Sequence, residues 1–513
     1  MTEKSRQTAR TGLLLAALSA VIGPVLIGIV SAGFSRPSQN QGVGNRQVTP
    51  RQLTQDSEHA PTESTTVSDA GCTRILRADV APGSIVVLQS IDLTGSRHGF
   101  FLKAAGCSGT GSTGCDGVQQ SFAESMVADG VFTEVARAAT IDFFSDVLTD
   151  TEPPEGSGAV SALPPSTLNF RRLLLPRFTD RGLNDLAVDC PCIHRGEAVT
   201  VYIDPEVPPT ESRMAAALCA LLESHLRRTG GTLRTCIESG LGSIDDLDGD
   251  GRLTVVLTRL DRRNPGGLLQ SDRVPVLGCV READFLGSQT EACGDILYLA
   301  PEGLQMPGSR SLLAHELAHA AVHCRQRQRL QQGQGKLVIP DWFHEALAHL
   351  AEHSVVGSGE FFEQRLAEFQ LGPQNCPVVT GFQSGWEAGR GGSRPAGLLF
   401  LQSALRRPVN VPQLFHTSES FAELLDGLLR QSFRESLAAW GPLAAGQILR
   451  ARPQAITRLR AGAEHSGTIY GTAFQCWRSD SGPLTIEIQS DAAAALQLTV
   501  LTFGGDVRVT AAD

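Results

Sequence analysis

The sequence has few of several features that define common protein classes. Its 513 residues contain only three tyrosines and 12 histidines. No C-x-x-C pair occurs, which excludes a zinc ribbon and a thioredoxin-type redox motif. Basic residues are also fewer than acidic ones, 44 against 54, so the net charge is -10. Nucleic-acid-binding domains usually carry a basic patch, so we expect no nucleic-acid partner.

The first 34 residues combine a basic start with a long apolar run. Lys4, Arg6 and Arg10 precede Gly12–Phe34, a run without any charged residue. A run of this length can span a bilayer, and its basic flank places the N-terminus on the cytoplasmic side. Residues 30–32 (VSA) resemble a cleavage site, so residues 1–34 are either a signal peptide or a transmembrane anchor. Both alternatives predict an extracytoplasmic protein, either secreted or held to the membrane by a single pass.

Composition and hydrophobic patterns divide the rest of the chain into segments. Residues 35–71 are polar and predict a disordered linker. Residues 72–150 and 463–513 contain strand-like runs, so each predicts a small β-rich domain. Between them, residues 166–451 alternate strands with amphipathic helices and then become mostly helical. The predicted fold class is α+β, with a mixed sheet and a helical subdomain between two small β-rich domains.

The 12 cysteines are an even number in a chain predicted to be exported, and they therefore predict disulfides. The first local pairs to expect are Cys107 with Cys115 and Cys279 with Cys293. Cys190 and Cys192 are too close in sequence to pair with each other.

Three histidines lie at intervals of four in the run Ser309–Cys324. The run contains His315-Glu316-Leu317-Ala318-His319, an H-E-x-x-H motif, and either Ser309 or Ser311 can cap a helix there. Two imidazoles four residues apart lie on one helix face, where both can bind a single zinc ion while Glu316 lies beside the metal-bound water. The alternative is a helix whose histidines form hydrogen bonds within a core.

A zinc ion in this position needs a third protein ligand. His323 lies on the same face but about 12 Å from His315, too far for one ion with ligands at about 2 Å. We expect it to orient a ligand or to pair with a carboxylate. A metzincin would need Gly at position 322 and His at position 325, where this chain has Val322 and Arg325. That family is therefore excluded.

A second helix is predicted to begin at Asp341, which can cap it, in the run Pro340–His353 (PDWFHEALAHLAEH). Trp342, Glu345 and Ala348 fall on the pattern W-x-x-E-G-x-A, with Ala346 in place of the Gly. In this respect the chain resembles the gluzincin clan of zinc metallopeptidases, and it looks closest to the hyicolysin-type peptidases. The resemblance extends over roughly residues 198–451 and implies a zincin-like metallopeptidase domain within residues 166–451.

The resemblance also implies roles for particular residues. His315, His319 and Glu345 would bind a catalytic Zn²⁺, and Glu316 would be the general base toward the zinc-activated water. The strand Asp295–Ala300 (DILYLA) would be the edge strand that lines the substrate cleft.

Other residues of the expected site are less defined by the sequence. Gluzincins usually add a Tyr or His that donates to the oxyanion, and His416 and Tyr470 are the available candidates. His349 and His353 continue the second helix on the Glu345 face. Either one of them orients a ligand or both form an exposed polar face.

Asp246, Asp248 and Asp250 lie in the run DLDGDG, which is similar to the start of a calcium loop. An EF-hand would need a Glu at its twelfth position, where this chain has Leu257. A simple Asp/Gly turn before a strand is the favoured interpretation, and a structural Ca²⁺ site is the alternative.

The sequence thus predicts an exported zinc metalloendopeptidase that acts on a protein or peptide substrate. No G-x-M-E-N segment, typical of aminopeptidases, precedes the zinc helix. The alternative is a catalytically inactive, peptidase-like protein for surface binding or adhesion. The presence of Glu316 counts against that alternative, because a protein without catalysis has no physical need for a base between the two histidines.

Overall fold

A computed structural model of the chain describes residues 73–93, 97–106, 169–179, 182–208, 215–229, 231–260, 276–287, 294–357, 366–367, 369–379, 393–405, 409–452, 456–480, 482–491, 495–501 and 507–511. The predicted signal or anchor segment, the linker 35–71, and residues 107–150 of the N-terminal β-rich region lie outside the described residues. Within the described residues, no helix combines the length and the apolar character needed to cross a membrane.

The strands are β1 (Thr73–Val80), β2 (Ile85–Ser90), β3 (Arg97–Gly106), β4 (Phe170–Thr179), β5 (Gly182–Arg195), β6 (Val199–Ile203), β7 (Leu253–Leu257), β8 (Gly278–Cys279), β9 (Ile296–Leu299), β10 (Thr457–Leu459), β11 (Glu464–Tyr470), β12 (Phe474–Ser479), β13 (Leu484–Asp491), β14 (Leu496–Leu501) and β15 (Val507–Ala511). The helices are α1 (Ala215–Leu226), α2 (Leu233–Leu241), α3 (Glu282–Leu286), α4 (Pro301–Gln305), α5 (Ser309–Gln331), α6 (Asp341–Val356), α7 (Ser393–Ala404), α8 (Val411–Thr417), α9 (Phe421–Leu429) and α10 (Phe433–Ala451). The described residues therefore combine helix and sheet, in agreement with the predicted α+β class.

A mixed six-stranded sheet has the order β4-β5-β6-β7-β9-β8. Strands β6, β7 and β9 are parallel, whereas β4, β5 and β8 pair with antiparallel neighbours. Every residue of β7 (LTVVL) and β9 (ILYL) is buried, as expected for central strands covered on both faces.

The edge of this sheet differs from the prediction. The strand from the run DILYLA, β9, lies between β7 and β8, so it is not the edge strand. Among the described strands the sheet ends in β4 and in β8, and β8 pairs antiparallel with β9 through Gly278 and Cys279. A strand of two residues has no periodicity to detect, which is why the sequence did not reveal it.

Helix α5 is the central helix of the helical region. It is buried from Ser311 through Cys324, and it packs against α2, α3 and α6. Neither predicted serine caps this helix, because Gly308 occupies the N-cap and no side chain bonds there. Asp341 is the first residue of α6 rather than its cap, a position taken by Pro340.

The β-rich segments at the two ends of the chain pair with each other, which differs from the two separate domains predicted. One sheet has the order β1-β13-β3-β11 and the other the order β10-β12-β2-β14-β15. Their facing side chains form one core that includes Leu102, Trp477 and Ile488. Local patterns predict several of these strands, but the pairing of segments so distant in the chain depends on register across the whole sandwich.

The sandwich is joined to the helical region through β2. Val86 and Leu88 face the sandwich core, while Ile85 and Val87 belong to the core of the helical region. The Gln89 side chain also donates a hydrogen bond to the Leu437 carbonyl of α10 at 2.6 Å. Because β2 is buried on both faces, the sandwich and the helical region share apolar surface.

In the part of the chain that is described, the cysteines Cys190, Cys192, Cys219, Cys236, Cys324 and Cys476 are buried free thiols. Burial raises the pKa of the Cys190, Cys219, Cys324 and Cys476 thiols to about 12. As expected, Cys190 and Cys192 do not pair with each other. Cys107, Cys115 and Cys293, the other cysteines of the predicted local pairs, lie outside the described residues.

Candidate metal centre

Two helices bring His315, His319 and Glu345 to one point. Both histidines lie on the same face of α5, and Glu345 projects from the beginning of α6, which packs against α5. One ligand atom from each residue lies within 4.8 Å of the others. The two histidines are fully buried, while the Glu345 side chain is 18% exposed.

The distances between the donor atoms fit a tetrahedral ion. The Nε2 atoms of His315 and His319 are 3.0 Å apart, and the Glu345 oxygens lie 3.6 Å and 3.7 Å from them. Ligands at about 2.0–2.1 Å from a tetrahedral zinc ion are about 3.3–3.4 Å from one another. Shifts of a few tenths of an ångström would therefore place all three donors at coordinating distance.

The protonation state of the histidines also suits a metal. Desolvation lowers the pKa of His315 to about 4, although the nearby Glu352 and Glu345 act in the opposite direction. Desolvation, followed by the neighbouring histidines, lowers the pKa of His319 well below its usual value. Both rings are neutral at pH 7, and the neutral imidazole is the form that binds metals.

Glu316 is fully buried and its carboxylate lies against the edge strand β8. A Cβ atom at Gly278 would lie 2.4 Å from Glu316 Oε1 and 2.8 Å from the Leu312 side chain. Only glycine leaves room for the carboxylate in this position. Gly278 was not predicted as a site residue, since its role depends on a contact between a strand and a helix distant in sequence.

A second carboxylate, Glu352, lies behind the histidines. Its Oε2 is 3.0 Å from His349 Nδ1 and 3.7 Å from His315 Nδ1. His349 is fully buried and its Nε2 is 3.8 Å from Glu345 Oε2. His349 is therefore not part of an exposed face, and Glu352 bonds to it while lying near His315 Nδ1 but beyond hydrogen-bond distance. Glu352 lies about two turns after Glu345 in α6, and this spacing could have identified Glu352 from the sequence.

His344 supports the other histidine ligand. Its Nδ1 is 3.0 Å from His319 Nδ1, and the two rings are stacked with centroids 5.2 Å apart. When His319 Nε2 faces a metal, its Nδ1–H donates to His344, which fixes the orientation of the ring. His344 was missed because only its neighbour Glu345 belongs to the recognised pattern.

His323 does not pair with a carboxylate, contrary to one of the expectations. The ring is buried against His344 and Phe285, at centroid distances of 5.0 Å and 5.7 Å. Neither ring nitrogen has a hydrogen-bond partner. Burial lowers the pKa of His323 well below its usual value, so the ring is neutral.

Helix α6 is fixed in place by its apolar side. Trp342 stacks on Phe433 at 5.5 Å and contacts Phe421 edge-on at 6.2 Å. Ala346, which replaces the Gly of the gluzincin pattern, faces Gly397 of α7, where a Cβ atom would lie 3.1 Å from the Ala346 Cβ. The close approach at this turn is thus provided by a glycine on the opposite helix.

The two oxyanion candidates lie elsewhere. His416 is exposed on α8, and its carbonyl lies 3.5 Å from Arg329, which is about 20 Å along α5 from His315. Tyr470 belongs to β11 of the sandwich, where its ring contacts Arg97. The structure brings neither residue to the metal centre.

The loop before β7 forms a further candidate metal site. One carboxylate oxygen from each of Asp246, Asp248 and Asp250 lies within 4.8 Å of the others, and all three residues are partly exposed. We call these residues the aspartate loop, and we call His315, His319 and Glu345 the helix-pair centre.

No family model matches this chain, and no curated protein matches it.

Proposed function

We propose that the protein is an exported zinc metalloendopeptidase with a zincin-like domain that resembles the gluzincin clan. The convergence of the Glu345 carboxylate with the imidazoles of His315 and His319 carries this proposal, because two imidazoles and one carboxylate are the ligands of many hydrolytic zinc sites. The neutral state of the two buried rings supports it further.

The chemistry follows from the residues around this site. Bound zinc would polarise the scissile carbonyl and lower the pKa of a water molecule to about 7. Glu316 takes the proton from the attacking water and passes it to the leaving amine. His344 holds the His319 ring through Nδ1, and Glu352 would hold the His315 ring in the same way after a shift of about half an ångström.

A peptide substrate suits the edge strand β8. Strand β8 is the edge of the six-stranded sheet, and it contacts Glu316 through Gly278. Gly278 and Cys279 are buried, so the edge must first be uncovered before an extended peptide can add to it through main-chain hydrogen bonds and place a scissile bond close to Glu316. This mode of binding recognises backbone, so it fits a protein or peptide as the substrate.

The alternative is a binding or adhesion protein that retains the peptidase scaffold without activity. The sandwich of β1–β3 and β10–β15 is the part of the described chain that suits recognition of a partner. In such a binding protein the Glu316 carboxylate, which is buried beside β8, would have no role.

The proposal is tested with the wild type, Glu316→Gln, and the surface control Glu419→Gln. We expect all three proteins to bind one zinc ion per chain by elemental analysis. The wild type and Glu419→Gln cleave unfolded casein, and a chelator abolishes the cleavage. Cleavage by Glu316→Gln falls by about 10²–10⁴-fold, because the general base is lost. A wild type that binds zinc but never cleaves would support the binding protein instead.

A further inference from the structure

A cavity of about 490 Å³ lies between the second half of α5 and the short helix α8. Arg325 and Arg329 of α5 and His416 of α8 line it, together with amide side chains such as those of Gln332 and Gln413. None of the described residues that line the cavity is acidic. The cavity is therefore cationic, although the chain as a whole carries a net charge of -10.

Arg329 is a buried cation in the wall of this cavity, with 4% of its surface exposed. Its Nε donates to the Gly335 carbonyl at 3.2 Å, and its Nη1 donates to the Phe415 carbonyl and lies 3.5 Å from the His416 carbonyl. Among the described residues its Nη2 makes no hydrogen bond, and the side chain forms no ion pair. A guanidinium that is buried against neutral carbonyls lacks a counter-charge, which is costly.

Arg325 brings a second positive charge to the same cavity, one turn earlier on α5. Its Nη2 donates to the carbonyl and the hydroxyl oxygen of Ser243, while its Nε is buried without a hydrogen-bond partner. Asp245, two residues after Ser243, accepts hydrogen bonds from Gln328 and forms no ion pair with Arg325. Like charges four residues apart on a helix repel each other, so an anion between the two arginines would stabilise both.

We propose that this cavity binds a small molecule through an oxyanion, a carboxylate or phosphate group, held between Arg325 and Arg329. A guanidinium presents its N–H groups as a planar fork that fits two oxygens of such a group. The Nη2 of Arg329 is a donor that the described protein leaves unused, and the amides of Gln332 and Gln413 can bind further oxygens. The volume falls within the range of small-molecule sites, about 300–1,000 Å³.

The cavity is separate from the helix-pair centre, because Arg325 follows His319 by six residues, or about 9 Å along α5. Through Arg329 the cavity contacts α8 and Gly335, which lies in the segment between α5 and α6. A bound anion would neutralise Arg329 and stabilise the packing of both zinc helices against α8. The site does not depend on the proposed peptidase activity.

The test titrates the zinc-loaded, full-length protein in chloride buffer at constant ionic strength, with sodium phosphate in one arm and sodium succinate in the other. Calorimetry measures the affinity, and the melting temperature is followed in parallel. We expect one anion per chain and a higher melting temperature when it is bound. Arg325→Gln and Arg329→Gln should each weaken binding at least about tenfold, because each removes a charged hydrogen-bond donor. Arg327→Gln is the matched control, since Arg327 also bonds to a carbonyl, that of Phe285, but does not line the cavity.

Two results would overturn the proposal. One is a wild type that binds neither anion at millimolar concentration. The other is wild-type affinity in a folded Arg325→Gln or Arg329→Gln variant, because the anion would then be held elsewhere, such as at the zinc ion. Tighter binding of phosphate would identify a tetrahedral oxyanion as the ligand, and tighter binding of succinate a carboxylate. Circular dichroism and zinc content report folding, and Arg325→Gln alone decides the outcome if Arg329→Gln does not fold.

Discussion

The helix-pair centre and the aspartate loop each bring at least three donor side chains together, but they do so with different chemistry. The helix-pair centre uses imidazoles that are neutral and fully buried on packed helices. The loop uses three carboxylates on a turn, and all three stay partly exposed. The difference teaches that neutral donors can be buried without a counter-charge, whereas charged donors need water, a partner or an ion.

The largest effect should come from removing one ligand of the helix-pair centre. In His319→Ala the zinc content should fall from about one ion per chain to nearly zero, because two protein ligands do not retain zinc through dialysis. Asp248→Asn in the loop is the comparison and should keep its zinc. Elemental analysis after dialysis measures both, and an equal loss of zinc in the two variants would show that the sites are not independent.

The next effect concerns the contact between β8 and Glu316. In Gly278→Ala the new methyl group would occupy the space of the Glu316 carboxylate, and we expect cleavage to fall by about 100-fold with the zinc content unchanged. Gly335→Ala is the matched control, because a Cβ atom at Gly335 meets no atom within 4 Å. Full activity of Gly278→Ala would remove the evidence that the carboxylate must stay in this position.

A somewhat smaller effect is expected from the residues behind the ligands. Glu352→Gln should weaken zinc affinity about 10–100-fold, because the carboxylate no longer orients His315. Competition with a zinc-binding dye measures the affinity, and Glu419→Gln should match the wild type. Unchanged affinity in Glu352→Gln would mean that packing alone holds the His315 ring.

The smallest expected effect is the change in stability of the metal-free protein with pH. His315 and His344 have folded-state pKa values of about 4, below the unfolded value of 6.5, so their contribution is lost as the pH falls from about 6.5 toward 4. Asp295 has a pKa raised to about 8, first by desolvation and then by Asp248, so its contribution is lost as the pH rises toward 8. The melting temperature should fall by roughly 5–10 °C between pH 7 and pH 5.

One variant separates the acid and alkaline parts of the curve of melting temperature against pH. Asp295→Asn should remove the decrease in stability as the pH rises from 7 to 8 and should steepen the loss of stability below pH 7, because the protonated Asp295 opposes the histidines there. Melting curves of the chelated proteins at each pH provide the measurement. An unchanged alkaline limb in Asp295→Asn would mean that another group is responsible, such as Asp284, whose pKa burial raises to about 7.

The helix-pair centre shows what local sequence can predict. The spacing of His315 and His319 fixes a shared face on any helix. The third donor, Glu345, was named only through the resemblance of the second helix to the pattern W-x-x-E-G-x-A. Glu352, His344 and Gly278 were not predicted as site residues, because each contributes through a contact across helices or between helix and sheet.

The aspartate loop and the sandwich show where local sequence is insufficient. Asp295 lies beside the loop only because β7 and β9 pair in parallel, and β1 lies beside β13 only because the two ends of the chain share a sheet. Both arrangements depend on strand register between distant segments, which local periodicity does not encode.

The most direct test of the account is an anomalous-diffraction map of zinc-loaded crystals. We predict a single strong peak about 2.0–2.2 Å from Nε2 of His315, Nε2 of His319 and one carboxylate oxygen of Glu345. A zinc ion bound to the two histidines with the Glu345 carboxylate turned away, or a peak elsewhere in the molecule, would contradict the proposed centre.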